Sequence, residues 1–294
     1  MRFNPILFLL IGLWAAPASA QTDSAKAPGT QSFIFLPDGY HIASFKAHID
    51  EPRVGLFKSM DASGMKVDVG NSIDLFQFTD LIPTWNLTAG IDFFAYAFVK
   101  STQGLRLQID AIDGFFGGNL AGSKPLNPGT IEVRLRILHH SAHLVDGHWN
   151  NGSWMDNMEP IAFTKDYGEL VVAHKLTMQQ ERIRYYIGTS YATLIRPSEI
   201  KRIDGLLGFE CSTSRILGSF LHHPVTPFVA YNMQLSGMPT YSASHYVQLG
   251  IKFGEWEKKG INFFLGYYSG RHMFAEYYNR QLQTFGMGFS VDFE

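Results

Sequence analysis

The stretch Phe285-Gly286-Met287-Gly288-Phe289-Ser290-Val291-Asp292-Phe293 puts an apolar side chain at every odd position and glycine, serine or aspartate at every even one. A repeat of two is the signature of a β-strand with one apolar face and one small or polar face. The same parity recurs at Val247, Leu249, Ile251 and Phe253 against Gln248, Gly250 and Lys252, and at Leu105, Leu107, Ile109 and Ala111 against Arg106, Gln108 and Asp110. About twelve such segments follow one another, near 53–60, 65–78, 85–98, 105–115, 130–143, 161–176, 181–195, 204–212, 225–234, 244–254, 260–270 and 280–293. Their lengths suit the roughly 9–11 residues with which a tilted strand crosses a bilayer.

Composition excludes several alternatives. The chain has 294 residues, 17% of them charged, with 24 Phe, 13 Tyr and 5 Trp, too apolar for a disordered chain and unusually aromatic for a soluble enzyme. Past the N-terminus its longest apolar run is Phe93 to Val99, far short of the ~20 residues a spanning helix needs. A net charge of -2 offers no cationic field for nucleic acid, which is excluded as a partner. The single cysteine, Cys211, precludes an intramolecular disulfide.

Arg2, the apolar core Ile6 to Trp14 and Ala18-Ser19-Ala20 before Gln21 have the layout of a cleaved secretory signal peptide over residues 1–20. Residues 21–33, rich in Ser, Thr, Ala, Gly and Pro, read as a flexible periplasmic leader, and 34–294 as the strand domain. The fold class is therefore all-β, a transmembrane antiparallel β-barrel of about 12 strands in the bacterial outer membrane. Outer-membrane lipids would surround it, and the barrel assembly machinery would be its partner during insertion. Soluble sandwiches and lipocalin-like barrels also alternate, but eight strands would not use this length. Gly188, Gly208, Gly250, Gly266, Gly286 and Gly288 fall on the non-apolar parity, where a narrow lumen favours small residues. Trp85, Tyr185, Tyr186, Tyr191, Tyr267 and Tyr268 are assigned to an interfacial girdle, and Phe263-Phe264 to lipid-facing bulk. Arg53, Arg134, Arg136, Asp110 and Asp113 are assigned to a lumenal charge network.

Four of the eleven histidines fall between His139 and His148. Ile131, Val133, Leu135 and Ile137 form the apolar face of the fifth strand, and continuing their parity puts His139, Ser141 and His143 on that same face. Asp166 and Thr164 share the parity of Leu170 and Val172 on the sixth strand, whereas Glu169 has the opposite one. A serine hydroxyl needs an adjacent base, and the base needs a group to hold its tautomer. Three readings stay open: polar residues seated in the headgroup zone, a catalytic Ser141 with His139 or His143 as base and Asp166 as orienting group, and a metal held by His139, His143 and His148.

The run RLRILHHSAHLVD, with YYSGRHMFAEYYNRQLQTFGMGFSVDF, HIDEPRVGLF and LRLQIDAIDGF, resembles the bacterial family described as domain of unknown function 1207, from about Phe35 to the C-terminus. Its most specific motif is His139, Ser141, His143 and Asp146, where Val145 and Ala142 depart from the family's glycine and small polar residue. Locally, His139-x-Ser141 is similar to the His-x-Ser pair that outer-membrane phospholipase A and the outer-membrane lipid A deacylases carry on a lipid-facing strand. That resemblance implies a lipid-acting serine ester hydrolase at the outer leaflet, with His139 as base, Ser141 as nucleophile, Asp166 as orienting group and calcium as an assisting ion. The competing class is a non-catalytic barrel, either narrow transport or binding or an envelope component.

Overall fold

The computed structural model describes residues 32–293 apart from 40, 61–63, 80, 103–105, 147–148, 151 and 155–156. The signal peptide read at 1–20, the leader up to residue 31, and His148 lie outside the described residues.

Period-two patterning becomes twelve antiparallel wall strands: β1 (Val54–Ser59), β2 (Met65–Thr79), β3 (Asn86–Thr102), β4 (Arg106–Pro125), β5 (Thr130–Leu144), β6 (Thr164–Met178), β7 (Glu181–Arg196), β8 (Ile203–Thr213), β9 (His223–Gly237), β10 (Tyr241–Phe253), β11 (Gly260–Arg271) and β12 (Gln281–Asp292). Each pairs with the next in sequence, and β12 pairs with β1 from Gly286 with Ser59 to Val291 with Val54, which closes the barrel. Closure satisfies the edge strands that an open sheet would leave unpaired. One end carries the first and last described residues, Ser32 and Phe293, and the turns after β2, β4, β6, β8 and β10. The other, the loop end, carries the long segments 145–163 and 272–280.

Alternation sorts the side chains as the sequence reading required. Ile137, Ile187 and Phe93 are exposed on the outer face, while Glu132, Arg134 and Arg136 on β5 are buried in the lumen. The interior glycines make room for rings. A Cβ on Gly250 would lie 2.7 Å from the Phe228 ring, and one on Gly266 would lie 2.8 Å from Phe57.

Three assignments are corrected. Tyr186 and Tyr268 face the lumen, not a girdle, and Phe264 is buried while Phe263 is exposed, because adjacent strand residues point to opposite faces. The parity of Leu105–Ala111 does not hold across its length: where Phe98 pairs with Ala111 and Val99 with Ile109, a bulge at Asp110 turns both Asp110 and Ala111 inward. The fourth strand then continues to Pro125, well past the expected 115.

Residues 36–53, within the domain read as 34–294, are not wall. The short strand Ser32–Phe35 pairs with Phe76–Thr79 of β2, and the chain then folds into the lumen before re-emerging as β1. Phe45, Ala47, His48 and Glu51 are buried there. Arg134 Nη1 donates to Glu51 Oε2 at 2.9 Å, Arg136 Nε to Glu169 Oε1 at 3.0 Å, and Arg136 Nη1 to the Asp50 carbonyl at 2.9 Å. Arg184 donates to the Ala43 and Ser44 carbonyls and to Glu210. Phe45 lies against both the Arg134 and Arg184 guanidinium groups and packs, tilted, on Tyr186 at 4.1 Å between centroids. Charges withdrawn from water persist only when paired, and this inner segment supplies the partners. All five residues of the expected lumenal network face inward, but their partners differ from a shared cluster: Asp110 pairs with Lys100, Asp113 with His140, and Arg53 donates to the Lys46 carbonyl.

Candidate functional site

The last turn of wall on β5 and the first on β6 carry the polar constellation. In the antiparallel register His139 lies opposite Asp166 and Ser141 opposite Thr164, while on the β4 side Phe116 faces His139 and Gly114 faces Ser141. His139, Ser141, His143 and Asp166 all project from the outer face of the barrel, as parity alone required.

The side chains form two pairs. His139 Nδ1 is 2.5 Å from Asp166 Oδ1, with the two side chains 31% and 44% exposed, so this hydrogen-bonded pair is reachable from outside the wall. An ionised carboxylate only accepts, which puts the imidazole proton on Nδ1 and leaves Nε2 as a free base. The His139 ring packs on Phe116 at 4.7 Å between centroids, which fixes its plane. Ser141 Oγ is 3.0 Å from His143 Nε2 instead of bonding to His139. Ser141 thus sits midway along the strand between two imidazoles, each two residues away. Rotation about its χ1 carries the hydroxyl from one side to the other. Gly114 leaves the outer face open beside Ser141: a Cβ there would find only the Ser141 carbonyl, 3.8 Å away.

Asp146, the acidic residue of the motif, has a different place. Its Oδ2 accepts from the Ile109 N–H at 3.0 Å, and its own N–H donates to the Ile109 carbonyl, so it ties the start of the 145–163 segment to β4. Among the described residues no three His, Cys, Asp or Glu side chains group as metal ligands. With Asp166 held by His139 and Asp146 by β4, the residues beside Ser141 do not fit a calcium cage, and no step of chemistry is routed through one.

Sequence reasoning passed over a second histidine and carboxylate pair directly behind the first. His140 Nε2 is 2.7 Å from Asp113 Oδ1 in the lumen, its ring stacked on Phe115 at 4.0 Å, and Asp113 also accepts from the Ala275 N–H at 3.2 Å. The even parity of position 140 was the available signal. This pair anchors the short 3₁₀ turn Ala275–Tyr277, which folds the 272–280 segment down into the loop end of the barrel.

No curated protein and no solved structure gives a significant match to the chain. Residues 110–293, well over half of the sequence and including every residue of the outer-face constellation, match the model of the family described as "Protein of unknown function (DUF1207)", and the chain belongs to that family.

Proposed function

We propose that this protein is an outer-membrane barrel that hydrolyses ester bonds of membrane lipids on its outer wall. The membrane setting rests on the belt of exposed Ile, Leu, Phe and Val on the outer face of a closed barrel. With the end that carries the short turns on the periplasmic side, as in other outer-membrane barrels, the loop end and the Ser141 constellation fall at the outer leaflet. The observation that carries the activity is the contact between His139 Nδ1 and Asp166 Oδ1, two residues from a serine on the same outer face. Polar and charged groups facing lipid are costly and mark functional positions.

In the proposed reaction the Ser141 hydroxyl turns from His143 to His139. Oγ bonds to the acyl carbonyl carbon as its proton passes to His139 Nε2, and Asp166 stabilises the imidazolium. The ester C–O bond breaks and the leaving alcohol takes that proton. Water then attacks the acyl-serine with His139 again accepting the proton, the fatty acid leaves, and Ser141 is reprotonated. Narrow transport, the competing reading, meets a lumen occupied by residues 36–53.

The test is fatty-acid release from phospholipid and lipid A, followed by mass spectrometry on refolded protein. Ser141→Ala and His139→Ala should each lower release by about a millionfold, the scale measured for loss of a triad serine or histidine. Absence of release from the wild type, or equal release from Ser141→Ala, would sink the hydrolase.

A further inference from the structure

A cavity of about 260 Å³ lies inside the loop end of the barrel on the side away from β5 and β6. Phe57, Met65, Phe98, Met158, Phe274 and Leu282 make its wall apolar. Its charged neighbours are accounted for with one exception. Lys66 is paired with Asp68 and lies over the Tyr96 ring, and Lys100 is paired with Asp110 at 3.2 Å. Burial, with Lys100 alongside, pushes the His272 imidazole down to about 4, so this residue is neutral at physiological pH. Arg280 stands exposed at the rim, donates to the Asn157 carbonyl, and has no carboxylate partner among the described residues.

The barrel wall is lowest next to this cavity. β1, with six residues, is the shortest of the twelve wall strands. β3 runs on through Lys100 and Ser101 beyond its last pairing with β2, and β12 begins at Gln281, well before its first pairing with β1 at Gly286. The cavity therefore sits directly behind a stretch where both flanking strands rise above their neighbours.

We infer that this cavity binds a single long-chain carboxylate, a free fatty acid, with its chain among Phe57, Phe98 and Leu282 and its head at Arg280. An apolar pocket with one uncompensated cation at its mouth selects an amphiphile that is apolar along its length and singly anionic at one end. This binding needs nothing from Ser141, which lies on the outer face of β5.

The experiment uses the full chain refolded in an uncharged detergent and titrated with carboxyl-labelled oleate. Native mass spectrometry counts the bound chains, and the carbon-13 shift of the carboxylate reports its surroundings. One oleate per barrel is expected, with affinity about tenfold lower in Arg280→Ala, the usual scale for one charge-assisted contact. Leu282→Trp, which fills the cavity, should abolish binding, whereas Leu249→Trp on the outer wall should leave it intact. Ser141→Ala should bind as the wild type does, which separates failure of this inference from failure of the hydrolase. Non-stoichiometric uptake, or binding unchanged in Leu282→Trp, would overturn the cavity assignment, and equal binding of oleyl alcohol would overturn the role given to Arg280.

Discussion

At Asp166 one oxygen atom decides which of two imidazoles can act as a base. Because a carboxylate cannot donate, it fixes the His139 proton on Nδ1 and frees Nε2. An asparagine in its place can present its NH2 to Nδ1 instead, driving the proton to Nε2 and removing the base with almost no change in shape. Asp166→Asn should therefore lower lipid hydrolysis by about ten-thousandfold, the order seen when a triad loses its tautomer, while the folded barrel keeps its electrophoretic mobility. His143→Ala, which removes a partner of Ser141 but no orienting carboxylate, should cost much less. The reverse ranking would make His143 the base. Parity was enough to put all four side chains on one face. It could not say that Ser141 rests against His143 and not His139, because that depends on χ angles and on the space left by Phe116 and Gly114 on the neighbouring strand.

Among the elements, the 272–280 segment carries a proton-sensitive contact. Glu276 is buried against the lumen, and burial, reinforced by the Asp113 carboxylate, raises its carboxyl to about 7. Its value in the unfolded chain is near 4.5, so the folded segment holds the proton more tightly. The resulting stabilisation is complete below about 4.5 and is lost as pH rises through about 7. Hydrogen exchange at the Tyr277 and Tyr278 amides, corrected for intrinsic rates, should show weaker protection near pH 9 than near pH 5. In Glu276→Gln, which cannot ionise, protection should be equal at both. A wild type with no such difference would show that Glu276 does not govern the segment. Neither this segment nor 36–53 was legible in the sequence as lumen filling, and for the same reason. The wall strands announce themselves by alternation, a property of each strand alone. Glu51 and Glu276 acquire their meaning only from Arg134, Arg136, Asp113 and His140, which the closed barrel brings to them across long stretches of chain. The bulge at Asp110 leaves no mark in the sequence, because Ala111 is apolar and fits either face.

For the whole molecule, the inner segment and the wall stabilise each other, because each carries charges the other neutralises. Arg134 and Arg136 come from β5 and Glu169 from β6, whereas Glu51 comes from a stretch that belongs to no strand. One carboxylate thus faces two guanidinium groups, and His48 Nδ1 is 3.0 Å from it as well. Removing a single partner from such a buried cluster leaves uncompensated charge, at a cost of about 3–5 kcal/mol. Glu51→Ala should accordingly unfold at a markedly lower urea concentration than the wild type. Phe45→Ala, which loses the ring contact with Tyr186 and the contacts with two guanidinium groups, should fall in the same direction. The charge imbalance also predicts where the damage shows. If residues 36–53 are a plug held by these ion pairs, wild-type protein in planar bilayers should give no steady conductance, and Glu51→Ala should give intermittent openings as the segment leaves its seat. Steady wild-type conductance would mean that ions pass around the segment, and would favour transport, the competing reading. Silent bilayers for both proteins, with stability lost in Glu51→Ala, would mean that the segment is a fixed core of the barrel, leaving chemistry to its outer face.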